Sequence, residues 1–136
     1  MNSQPQIELL SLTTITGAVT NVVYESPEIR NCSALYVFAN FIYGSGGTNA
    51  KFWVQTSFDG GLTWADVVNF AFLVASLSKV AKIVPVNVVP TDVTDATLAD
   101  NTIGAAPPGF KWRVKYTTTG TYAGNTSIRI SAYNVQ

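Results

Sequence analysis

Along most of this chain apolar and polar residues alternate with a period of two, the mark of strands that turn one face to a core. In Phe110 to Thr118 the residues Phe110, Trp112, Val114 and Tyr116 fall in one phase, while Lys111, Arg113 and Lys115 fall in the other. The pattern predicts a half-exposed antiparallel strand with the aromatic phase inward. Ser33 to Tyr43 is apolar in both phases, with Leu35, Val37, Ala39 and Phe41 set against Tyr36, Phe38 and Ile42. A sandwich core covers only one of those faces. The second needs a loop, a neighbouring subunit or another protein, which makes Tyr36, Phe38 and Ile42 a candidate oligomer face.

Residues 1 to 13 read as an N-terminal arm or a first edge strand. Thr14 to Tyr24 is rich in β-branched residues, and Gly17 and Asn21 mark a bend or bulge within it. Residues 25 to 28 form a loop around Pro27, and residues 44 to 49 a flexible turn into a strand over Lys51 to Thr56. A return strand follows from Thr63 to about Phe72. Ser76-Leu77-Ser78 breaks the pattern, and Lys79 to Val89 resumes it with Val80, Val84, Val86 and Val88 on one side; Pro85 places that strand at a sheet edge. Residues 91 to 109 read as a long irregular connection and a candidate contact loop, with room for one helical turn over Thr94 to Leu98. Gly120 to Asn125 is expected to make a last hairpin, and Ser127 to Val135 a closing strand with Ile128 and Ile130 inward and Arg129 outward. If the closing strand pairs beside the strand of residues 110 to 118, Lys111, Arg113, Lys115 and Arg129 share one basic face, which reads first as a solvated strand face and, more sharply, as a candidate docking face for an acidic patch. Seven or eight short strands without a helical period predict an all-β fold, a single-domain antiparallel β-sandwich over residues 1 to 136. Jelly-roll-like and immunoglobulin-like topologies are both open at this point.

The strongest local signal is Ser57-Phe58-Asp59-Gly60-Gly61-Leu62-Thr63-Trp64, between two apolar runs. Asp-Gly-Gly supplies the positive φ angles of a tight reversal, Asp59 can accept from turn N–H groups, and Trp64 can cover the loop. Ser57, Asp59, Gly60, Gly61, Thr63 and Trp64 match the Asp-box pattern Ser-x-Asp-x-Gly-x-Thr-Trp, known from sialidases, other β-propellers and many unrelated β-proteins. The match predicts a structural hairpin turn and no reaction.

Composition changes this picture in two ways. Charged residues make up 12% of the chain and hydrophobic ones 47%, so part of the surface is expected to be hidden in an assembly. The eight basic and eight acidic residues cancel, which gives no reason to expect nucleic-acid or membrane binding. The first residues lack the basic and apolar regions of a signal peptide, so synthesis as a soluble protein in a cytoplasm is expected.

The chain has no histidine and one cysteine, Cys32, so His-based triads and the usual zinc sites are absent, no intrachain disulfide can form, and Cys32 reads as a small buried hydrophobe. Glu8, Glu25, Glu28, Asp59 and Asp66 are formally available as a glycosidase pair but read as loop acids and a turn aspartate. Asp92, Asp95 and Asp100 share a loop without the ligand spacing of a calcium site. The glycosylation patterns at Asn31 and Asn125 read as chance matches. No enzyme, metal or cofactor is expected. Trp53 is the one tryptophan placed as a surface platform for a sugar ring.

The run Phe52 to Phe72, including the Asp box, and the run Phe110 to Tyr122 resemble small structural proteins of tailed bacteriophages. The resemblance implies a β-sandwich virion component, made in the host cytoplasm. It points to a capsid decoration or cement protein that forms a homo-oligomer, a trimer first among the possibilities, and binds the major capsid protein. The alternative is a carbohydrate-binding module on a virion or cell surface, built on Trp53 and tyrosines.

Overall fold

A computed structural model describes residues 6–30, 32–84 and 90–135. Ten strands follow in order: β1 (Gln6–Thr14), β2 (Val22–Glu25), β3 (Ala34–Ile42), β4 (Ser45–Gly46), β5 (Asn49–Ser57), β6 (Ala65–Phe72), β7 (Leu77–Ile83), β8 (Lys111–Thr119), β9 (Tyr122–Ala123) and β10 (Ser127–Val135). Two four-stranded antiparallel sheets form, β1-β10-β3-β7 and β2-β8-β5-β6, with β4 and β9 as a small separate ladder. Ranked among the eight main strands, the first sheet runs first, eighth, third, sixth and the second runs second, seventh, fourth, fifth. That is the strand order of a jelly roll. An immunoglobulin-like sandwich would keep the first two strands in one sheet; here β1 and β2 lie in different ones.

The inner faces follow the alternation. Leu35, Val37, Ala39 and Phe41 of β3 meet Ile128, Ile130 and Ala132 of β10 in one sheet, opposed by Phe52, Val54, Trp112 and Val114 in the other, all at or near zero exposure. Phe41 stacks on Phe72 with ring centroids 4.8 Å apart, and Tyr122 meets Phe41 edge-on at 6.0 Å. The expected arm is an edge strand from Gln6 onward, and a register shift between Glu8 and Leu10 lets Leu9 and Leu10 both be buried. Gly17 and Asn21 do take positive φ, where the chain leaves the first sheet for the second.

Several expectations change. Residues 120 to 125 do not join a hairpin: β8 pairs with β2 and β5, whereas β10 pairs with β1 and β3. The chain crosses between the sheets there, alongside the crossing at residues 15 to 19, through bonds such as Gly17 N–H to Tyr122 C=O at 2.8 Å and Ile15 N–H to Thr126 C=O at 2.7 Å. Tyr122, wholly buried, plugs this corner and donates its hydroxyl to Leu73 C=O at 2.8 Å. Phe110 precedes β8 and stays partly exposed beside the Arg30 guanidinium, because the inward alternation begins only at Trp112. The strand after the Ser76 break starts at Leu77; it lies at an edge, Val80 and Val84 point outward, and Ala81 and Ile83 face the core. Pro85, Val86 and Val88, residues 1 to 5 and Asn31 lie outside the described residues.

All four sheet edges are blunted. Register shifts interrupt β1, and β2 is four residues long. On β7, Lys79 pairs with the buried Ala39 and so faces inward, its Nζ donating to Ala71 C=O of β6 at 2.6 Å. Main-chain bonds from residues 94, 102 and 104 cover β6. Inward charges, bulges, short edges and covering loops are the usual protections against pairing with a foreign strand.

Candidate functional site

The Asp box closes the β5–β6 hairpin as its residues require. Gly60 and Gly61 sit at φ +78° and +100°, a region glycine enters without a Cβ clash. The Asp59 carboxylate accepts from the N–H groups of Thr63 at 2.8 Å and Leu62 at 3.1 Å; Ser57 Oγ donates to the same oxygen at 2.9 Å and accepts from Gly61 N–H at 2.9 Å. Trp64 Nε1 donates to Gly61 C=O at 3.1 Å. The side chains of Ser57, Asp59 and Trp64 are thus all bonded within the turn. These bonds, the Thr63 N–H foremost, lower the Asp59 pKa from its ordinary value to about 2. A depressed carboxylate pKa adds stability that is fully present above about pH 4 and is lost as the pH falls through about 2. Asp59→Ala is therefore expected to melt at a lower temperature than the parent at pH 7, with the gap narrowing as the pH is lowered through 2. Thermal melts at a series of pH values check this; equal melting temperatures at pH 7 would contradict it.

The outer face of the second sheet is not free. Residues 91 to 109 lie across it as a strap, and no helical turn forms over residues 94 to 98. Instead Ala96 takes φ +60° and the N–H groups of Ala96, Thr97 and Leu98 converge on the carboxylate of Asp66, at 2.8, 3.0 and 3.0 Å. Such a run of amides makes a concave anion site, filled here by the chain's own aspartate. Thr94 Oγ1 and Gln55 Nε2 complete the set of donors to Asp66. Leu98 C=O accepts from both Trp53 Nε1 at 3.1 Å and Asn69 Nδ2 at 3.0 Å. Gln55, Asp66 and Asn69 are almost fully buried, and sequence reasoning missed their role. Their signal was polarity inside an otherwise apolar hairpin.

Two expected sites are changed by the strap. Trp53 does point away from the core, but Leu98 covers it to 7% exposure, so it offers no platform to a sugar ring. The four basic residues do not share an open face either. Arg113 and Lys115 have side chains only 14% and 17% exposed and reach Asp95 of the strap at 3.3 and 3.1 Å, while Arg113 also lies over the Trp64 ring at 4.4 Å. Lys111 is half-buried on the same strand. Arg129 belongs to the other sheet, where it is bonded to Glu8. Burial works against the Asp95 carboxylate, yet the Gln55 amide, Lys115 and Arg113 outweigh it and hold its pKa below the ordinary value. Asp100 pairs with Lys51 at 3.4 Å, so two of the three strap aspartates are matched to cations of the sheet.

No family model matches the chain, and neither a curated protein nor a solved structure matches it.

The outer face of the first sheet is the contrast to the strapped one. Tyr36 and Phe38 project outward from β3, and the register places Tyr36 between Tyr133 of β10 and Lys82 of β7, and Phe38 between Ser131 and Val80. Tyr36, Phe38, Ile42 and Tyr133 are 42–50% exposed and Val80 is 77% exposed. The structure thus brings the three candidate oligomer residues onto one open face and adds Val80 and Tyr133. Tyr133 was legible in principle, since it shares the outward phase of Arg129. Cys32 is half-buried, its thiol donating to Ala34 C=O and its pKa raised by burial.

Proposed function

We propose that this protein is a structural component of a tailed-phage virion, a capsid decoration or cement protein that associates with itself and with the major capsid protein. The single observation that carries this reading is the asymmetry of the sandwich: the protein's own strap lies over β5 and β6 on one outer sheet face, whereas the other leaves Tyr36, Phe38, Val80 and Tyr133 open side by side. Open apolar patches of this kind mark surfaces that another protein covers. Support also comes from the sequence resemblance described above and from the absence of histidine, which removes the commonest acid–base and nucleophile-activating residue. A jelly roll by itself argues for no function. With Trp53 covered, the carbohydrate-binding alternative is left with exposed tyrosines such as Tyr36 and Tyr133.

The test is attachment to empty heads of the phage that encodes the chain. The protein should co-sediment with them at a fixed, saturable ratio and raise the temperature at which they disrupt. Heads that neither bind it nor gain stability from it would overturn the proposal.

A further inference from the structure

We infer that the outer face of the β1-β10-β3-β7 sheet is covered by the same face of a second copy of this chain, about a two-fold axis. The inference rests on the reading of the chain as an assembling structural protein and names the subunit that this surface meets.

The edges point to the mode of contact. With β1 interrupted by register shifts, β2 short, β6 covered and β7 carrying the inward Lys79, adding a partner strand to either sheet is opposed at every side. Association is left to a face, and the strap occupies most of the β5–β6 side of one of the two. The remaining face also approaches the size of a stable interface. Four strands at about 4.8 Å spacing and some eight residues at about 3.4 Å give a flat footprint of roughly 500 Å². Projecting aromatic rings raise the accessible area above that footprint, toward the ~800 Å² per partner of a stable interface.

Charge selects the occupant. Among the described residues the ionic groups of this face are Glu8 and Arg129, bonded to each other, and Lys82, whose Nζ lies 5.6 Å from the centre of the Tyr36 ring. Two copies therefore meet without opposing like-charged clusters, and a strongly charged partner finds no complementary patch. β10 and β3 are the middle strands, so Phe38 falls at the centre, where anchor residues carry most of the binding energy, with the Tyr36–Tyr133 pair two residues along the strands toward one end. One patch that meets its own copy is isologous and closes as a two-fold pair. This departs from the trimer that the resemblance implies.

Sedimentation velocity of the full chain at micromolar concentration, with Phe38→Lys, Val80→Lys and the control Val23→Lys, tests the inference. Val23 is exposed on the other sheet, and Val80 is exposed enough that its variant keeps the fold should Phe38→Lys fail to. The expected result is a dimer for the parent and Val23→Lys, and a dissociation constant roughly a hundredfold higher or more for the two face variants. A monomeric parent, a trimer or larger ring, or a dimer indifferent to both face variants would overturn it. Head binding in parallel separates the two readings. A monomer that still attaches removes the two-fold pair and leaves the virion role, whereas a dimer that ignores the heads does the reverse.

Discussion

Asp66→Ala is expected to release the strap and to cost about 3–5 kcal/mol, the range for breaking a buried, hydrogen-bonded charge network. The Asp66 carboxylate is 4% exposed and faces donors only: Gln55 Nε2 and Ala96 N–H on one oxygen, Thr94 Oγ1, Thr97 N–H and Leu98 N–H on the other. Alanine takes this acceptor from the three strap amides and the Thr94 hydroxyl, while Gln55 Nε2 keeps Asp95, and the amides recover water only by lifting the strap. Asp66→Asn is expected to do little better, because its amide nitrogen must point at donors. Urea unfolding measures the loss, and limited proteolysis within residues 91 to 109 reports the release. A loss below about 1 kcal/mol, with the strap still protected, would show that the nest of amides is not what holds it.

Tyr122→Ala should cost a similar amount, about 3–5 kcal/mol, by a different route. Tyr122 fills the corner where the chain crosses between the sheets and meets Phe41 and Tyr43 edge-on at 6.0 and 6.3 Å. Its removal leaves a cavity walled by crossing segments that are tied to each other by main-chain bonds and cannot collapse freely. Tyr122→Phe keeps the ring and loses only the bond to Leu73 C=O, so about 1 kcal/mol is expected. Comparable losses in the two variants would mean that the hydroxyl, and not the volume, holds the corner.

These residues also show where the sequence was informative. The Asp-box turn was legible because Ser57, Asp59 and Thr63 bond to one another within a few residues, so local chemistry decides the geometry. The faces of β3 and β10 were legible because alternation fixes phase. Phase does not say which strand lies alongside. The pairing of residues 127–135 with β1 and β3, rather than with β8, is non-local, and with it went the placement of Arg129. The cover over Trp53 comes from Leu98, and the partner of Arg113 from Asp95; no spacing rule links residues so far apart. Asp66 read as a loop acid but is buried within β6, and Gln55 had no reading; only the strap, distant in sequence, shows what the two side chains hold.

The place of β10 in the middle of its sheet also governs how the protein is made. During synthesis β1 and β3 emerge early, but each must wait for residues 127–135 as its neighbour. Until then Leu9, Leu10, Val37 and Phe41 have no completed sheet around them, although the local β5–β6 hairpin can already form. Pairings between distant segments form slowly, and unfinished sheets are exposed to aggregation. A ribosome that stalls before β10 therefore releases a sticky, half-built chain, and synthesis through that strand is the step that commits the molecule to its fold.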